Sequence, residues 1–147
     1  MRIRDVLEHK GAEVLTIDAG STTLDAVKKL NEKHVGSLIV VDDDARMVGF
    51  LSERDILANF AESARGIPVT QVMTPRDRLY IVHEDDDIQY AMNVMTEHRI
   101  RHLPVFEDKR LVGLVSIGDL MKAVTDSLEF ETKQLNEYIA GSYVVVP

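Results

Sequence analysis

Residues 48–57 read VGFLSERDIL, and residues 112–121 read VGLVSIGDLM. Over Ala45–Leu57 against Lys109–Met121, five of thirteen aligned pairs are identical: Arg46/Arg110, Val48/Val112, Gly49/Gly113, Ser52/Ser116 and Asp55/Asp119. Five more exchange one apolar side chain for another. The match extends upstream. Leu79–Val82 answers Val14–Ile17, DIQYAMNVMTEHR answers TTLDAVKKLNEKH, and HLPVF answers SLIVV, at an offset of 65 that falls to 64 after one hairpin residue is lost. The chain is an internal duplication.

Each copy carries the same predicted elements. Val14–Ile17 is a short apolar run. Thr23–Lys33 sets Ala26, Val27 and Leu30 at helical spacing, with lysines and glutamates opposite. Ser37–Val41 and Met47–Ser52 are apolar runs around an acidic turn, the pattern of a hairpin. ERDILANFA resumes the helical period. The order β-α-β-β-α defines an α/β (α+β) unit of about sixty residues, below the roughly 70–80 residues at which one core suffices. Two repeats packed face to face about a pseudo-twofold axis would supply the missing core. The expected division is repeat 1 at 1–62, a connection at 63–78 interrupted by Gly66, Pro68 and Pro75, and the core of repeat 2 at 79–124. Residues 125–147 form an amphipathic C-terminal helix and tail, with Leu128, Leu135, Tyr138 and Ile139 on one face and Gly141 as the C-cap.

Composition narrows the function. The 147 residues carry a net charge of −8, which opposes a sequence-independent grip on nucleic acid. Cysteine is absent, so disulfides, thiolate zinc sites and cysteine nucleophiles are excluded. No apolar run suits a leader or a membrane span, and the expectation is a soluble cytoplasmic protein without membrane contact.

The matched Ser and Asp fall where a strand ends and a helix begins. Ser52 and Ser116 can cap the helices, with Asp55 and Asp119 at the third helical position completing a capping box. Capping does not account for Gly49 and Gly113 in the preceding strands, because glycine there marks a close approach by a ligand or another backbone. A nucleotide satisfies all three residues: phosphate at the helix N-terminus, and ribose hydroxyls on the carboxylate. Arg54 adds positive charge in the first copy, where the second has Ile117 and Gly118.

Other candidates are weaker. His98 and His102 are four apart, but Pro104 and the strand around it separate them from one continuous helix. The acidic run 83–87, HEDDD, lacks the glycine and spacing of a calcium loop and suits the start of a helix near Ile88. Arg99, Arg101 and Arg110 have no interleaved aromatics for nucleic acid. No catalytic trio, G-x-x-x-x-G-K loop or G-x-G-x-x-G turn is present, so no enzyme activity, catalytic cofactor or metal is expected.

The paired units with VGFLSERDIL and VGLVSIGDLM, together with RIRHLPV at Arg99–Val105, resemble a tandem pair of CBS domains, the Bateman module. The resemblance covers about Val14 to Val124. It implies a regulatory module that binds an adenosyl ligand in clefts between the repeats: AMP first, with ADP, ATP, NAD(H) or S-adenosylmethionine as alternatives. Carried over, one site uses Gly49, Phe50, Ser52, Arg54 and Asp55, with Tyr80 and Ile81 near the base and Arg101, His102 and Pro104 near the phosphate. The other uses Gly113, Ser116 and Asp119 with Leu15, Thr16, Gly36, Ser37 and Ile39, and lacks arginines at its phosphate end. The resemblance further implies a homodimer and a regulated partner protein. The competing reading is a structural or oligomerisation module with vestigial ligand sites, in which Ser and Asp persist as caps.

Overall fold

The structure, a computed structural model, describes residues 1–144. In chain order the elements begin with α1 (Ile3–Lys10), β1 (Thr16–Asp18), α2 (Thr23–Lys33), β2 (Ser37–Val41), β3 (Met47–Ser52), α3 (Glu53–Ala58) and α4 (Phe60–Ala64). They continue with β4 (Thr74–Pro75), β5 (Val82–His83), α5 (Ile88–His98), β6 (His102–Glu107), β7 (Arg110–Ser116) and α6 (Ile117–Val144). The order β-α-β-β-α occurs twice, as β1 to α3 and as β5 to α6.

The chain divides into two compact units: Glu13–Ile81, and Met1–Ala12 together with the chain from Val82 onward. The first unit holds a sheet of order β1-β2-β3-β4, parallel at β1–β2 and antiparallel elsewhere. The second holds β5-β6-β7, parallel and then antiparallel. The duplication extends to irregularities. The register slips between Val40 and Val41 and again between Val105 and Phe106. Helices α2 and α5 both end on a left-handed residue, His34 and Arg99, each at φ 54°.

Local chemistry sets the helix starts. Thr22 caps α2, accepting from the Asp25 N–H at 3.3 Å while its own N–H donates to Asp25 Oδ2 at 2.9 Å. Asp87 caps α5, accepting from the Gln89 N–H at 2.7 Å. The rest of the acidic run seats α1. The amides of Ile3 and Arg4 donate to the carbonyls of Asp86 and Glu84, each at 2.9 Å, and the Arg4 side chain pairs with Glu84 and Asp85.

Helix α1 was not expected from the sequence, although Ile3, Val6 and Leu7 show helical spacing. All three are buried in the core of the second unit, with Ala91, Met95, Leu103, Val105, Val115 and Leu120. The segment 63–78, expected as a connection, has a comparable place in the other core. Val69 and Val72 pack there with Ile17, Ala26, Leu38, Val40 and Leu51, and β4 extends the sheet. Ile3, Val6 and Leu7 match Val69, Val72 and Met73 at an offset of 66. Each repeat therefore sends its leading segment into the other repeat's unit. The isolated bridges Arg2–Asp87 and Thr22–Pro68 tie down the two crossing points.

Helix α6 runs unbroken for 28 residues, about 42 Å at 1.5 Å per residue. The last helix of the repeat and the expected tail helix are thus one element. Gly141 is not a C-cap, because the helix continues past it. Nothing lies within 4 Å of a Cβ built there, and a single helical glycine costs only about 1 kcal/mol. Leu128, Phe130, Leu135, Tyr138 and Ile139 are exposed along this helix. No helix among the described residues is long and apolar enough to cross a membrane.

Candidate functional site

The two Ser-x-x-Asp motifs occupy equivalent places, where the hairpin's second strand passes into a helix. Ser52 Oγ accepts from the Asp55 N–H at 3.2 Å, and the Ser52 N–H donates to Asp55 Oδ2 at 2.9 Å. Ser116 Oγ accepts from the Asp119 N–H at 3.1 Å, and the Ser116 N–H donates to Asp119 Oδ2 at 2.8 Å. Both are reciprocal capping boxes. One backbone hydrogen bond to the residue before the neighbouring strand supports each: the Glu53 N–H donates to Gly36 O at 2.9 Å, and the Ile117 N–H to Arg101 O at 2.8 Å. The register sets Ser37 beside Ser52, and His102 beside Ser116.

The glycines answer to the fold. A Cβ on Gly49 would meet Met73 Sδ at 2.4 Å and the Thr74 carbonyl oxygen at 2.9 Å. One on Gly113 would meet the Leu7 methyls at 2.7 and 3.0 Å. In both units the close approach is made by the chain itself, through the crossing segment. A ligand is not needed to explain either residue.

The boxes differ in charge. Lys10, in the last turn of α1, donates to Asp119 Oδ2 at 2.7 Å and to the carbonyl oxygen of Leu114 at 2.7 Å. Both side chains are only partly exposed, at 32% and 25%. Partial burial pushes the Asp119 carboxyl up. The Lys10 ammonium, with the Ser116 N–H and hydroxyl, outweighs it and holds the group below the usual aspartate value. Lys10 was not among the residues expected at the second site. Its signal was weak: a lysine before Gly11, at the end of an unrecognised helix, whose partner lies 109 residues away.

The structure groups the expected residues by unit. The first contains Gly49, Phe50, Ser52, Arg54, Asp55, Tyr80 and Ile81, and also Leu15, Thr16, Gly36, Ser37 and Ile39. The second contains Arg101, His102 and Pro104 with Gly113, Ser116 and Asp119. Arg54, Tyr80, Ile81 and Arg101 are exposed, whereas Ser37, Ile39, Phe50 and Pro104 are buried. Each unit thus carries one Ser–Asp box and parts of both expected sites.

The CBS domain family model matches residues 3–62 and again 69–126. The chain is a tandem CBS-domain protein. Both matches begin at the crossing segments, so the family repeat includes the part exchanged between units. A mitochondrial CBS domain-containing protein of Arabidopsis thaliana is 36% identical over 150 residues, covering 96% of this chain and 73% of the relative. The crystal structure of a CBS-domain containing protein from Agrobacterium tumefaciens superimposes at a TM-score of 0.77. It is 31% identical and covers 84% of this chain and 98% of that one. A CBS domain protein from Pyrobaculum aerophilum complexed with AMP has a TM-score of 0.70. It is 26% identical, over 81% of this chain and 89% of that one.

Proposed function

We propose that this CBS-domain protein is an adenine-nucleotide sensor that binds an adenosyl ligand between its repeats and does no catalysis. AMP is the first candidate, with ADP, ATP and NAD(H) as alternatives. The observation that carries the reading is the Ser–Asp box repeated at a strand-to-helix junction of each unit, in a family whose Pyrobaculum member holds AMP. The first site draws on Ser52, Arg54 and Asp55 with Gly49 and Phe50, and on Tyr80, Ile81, Arg101, His102 and Pro104. The second draws on Ser116 and Asp119 with Gly113, Leu15, Thr16, Gly36, Ser37 and Ile39. Arg54 makes the first the stronger site for a phosphorylated ligand.

The mechanism is linkage. A ligand with differential affinity for two arrangements of the module shifts their balance by that difference and no more. The readout is assembly in the cytoplasm: a homodimer, or a regulated protein, held against the exposed apolar side chains of α6. Neither nucleic acid nor membrane is a partner in this reading.

The scaffold alternative has a specific observation in its favour. Both boxes are satisfied internally and both glycines are filled by the chain itself. A thermal-shift series with AMP, ADP, ATP, NAD and NADH on wild type and Asp55→Ala decides between them. Ligand at about 100 times its Kd stabilises the folded state by about 2.7 kcal/mol, several degrees in a domain of this size. A shift abolished by Asp55→Ala supports the sensor. No shift with any nucleotide leaves the boxes as caps and the scaffold reading in front.

A further inference from the structure

The Ser–Asp box of the second unit already has an occupant. Lys10 reaches it from the end of α1, held by two hydrogen bonds of 2.7 Å, one to Asp119 Oδ2 and one to Leu114 O. The placement is built in. Leu7 packs over Gly113, and α1 ends at Lys10, with Gly11 as its cap at φ 90° and the Gly11 N–H bonded back to Leu7 O. The same carboxylate oxygen also takes the Ser116 N–H. A ribose hydroxyl is a neutral donor and competes poorly with an ammonium that already sits on its acceptor.

The surroundings offer the lysine a second place. A cavity of about 400 Å³ lies between α1 and the first half of α6, with Val6, Ala123 and Phe130 among its lining. Lys10 and Asp119 are in its wall, and so are the carboxyl-bearing side chains Asp5 and Asp126. A lysine leaving Asp119 can therefore remain paired within the same space.

We infer that Lys10 is a displaceable stopper of the second site: a nucleoside engages Asp119 only by breaking the Lys10–Asp119 pair and turning the Lys10 side chain aside. This rests on the ribose role proposed for Asp119, and it gives that site a regulation of its own. Occupancy of the second site is read out at α1, whereas the first site fills without that step. Apparent affinity at the second site is reduced by the work of breaking the pair, as for any ligand that must select a minor state.

The test isolates the second site in an Asp55→Ala background and adds Lys10→Gln, which keeps a donor for Leu114 O but removes the charge. Lys10→Met serves as a second variant, and circular dichroism confirms the fold of each. Calorimetric titration with adenosine and with AMP is expected to show affinity about ten-fold tighter in Asp55→Ala/Lys10→Gln than in Asp55→Ala. Equal or weaker affinity, or no heat from either protein, overturns the stopper. A second readout uses the unaltered chain, where saturating adenosine is expected to shift the Lys10 side-chain ammonium resonance. An unmoved resonance in the bound protein also counts against displacement. The adenosyl reading is judged separately: AMP heats in wild type that vanish in Asp55→Ala uphold it whatever Lys10 does.

Discussion

Leu7 lies so close over Gly113 that a β-carbon on the glycine would stand 2.7 Å from a leucine methyl. The related contact in the other unit, Met73 over Gly49, is tighter, and there a backbone oxygen at 2.9 Å joins the side chain. A leucine side chain can turn aside in part, but a paired strand backbone cannot. Gly49→Ala is therefore expected to cost more than Gly113→Ala, with both in the range of about 1–3 kcal/mol typical of overpacked cores. Urea midpoints of the two variants check the order. Equal, negligible losses would mean that the crossing segments yield freely.

Capping and the proposed binding are separable at the first box. Ser52→Ala removes the acceptor for the Asp55 N–H and is expected to cost about 1 kcal/mol of stability. Asp55→Asn keeps an oxygen for the Ser52 N–H but loses the charge that a ribose would use. Its expected signature is a smaller loss of stability with AMP affinity reduced about ten-fold. If the two variants lose affinity only in proportion to stability, the box is a cap alone.

The Lys10–Asp119 pair predicts a pH dependence. Burial raises the Asp119 carboxyl, but Lys10 and Ser116 lower it by more, so its folded value lies below its unfolded one. Such a group contributes fully above the unfolded value, about 4, and loses its contribution as pH falls through the lower folded value. Lys122, Asp126, Asp5 and His9 line the same cavity and share its field. Wild type is expected to exceed Lys10→Gln in stability by a constant margin down to about pH 4, and the margin should close below it. Denaturant titrations at several pH values would show this. A margin that persists at pH 2 would assign the effect to packing of the lysine stem.

The exposed length of α6 predicts self-association. A helix with Leu128, Leu135, Tyr138 and Ile139 in water gains little from its own sequence and much from a second surface. Leu128→Lys with Leu135→Lys is expected to convert a dimer to a monomer in sedimentation velocity, with the two units still folded. A wild-type chain that sediments as a monomer at all concentrations would remove α6 as a homodimer interface.

Much of the fold was legible in the sequence, because the signals were local. Thr23–Lys33, Ser37–Val41 and Met47–Ser52 were read from periodicity and turn residues and occur at those bounds. The Ser–Asp pairs were legible as caps, beside the nucleotide reading, and they form caps. What escaped depends on distant contacts. Ile3, Val6 and Leu7 carried a helical pattern within a helix only eight residues long, too short to stand out until matched with Val69, Val72 and Met73. Proline and glycine made 63–78 look like a connection, although Val69 and Val72 are core residues. Gly141 looked like a stop because helices often end on glycine, yet one glycine does not end a helix that nothing else interrupts. The pairing of Lys10 with Asp119 has no local signature at all.

The exchange of leading segments separates the order of synthesis from the order of docking. Residues 13–81 form a unit whose parts are all present once Ile81 has left the ribosome. Helix α1 is made before any of them, yet its seat on β7 does not exist until Ser116 has been added. Helix α1, made before β7, thus settles only after it, and its buried face waits in solvent until that strand is present. A nascent chain halted after Ile81 should show protected amides in β2 and β3 while Ile3, Val6 and Leu7 exchange freely. Helix α1 is, in folding terms, the closing clasp of the second unit.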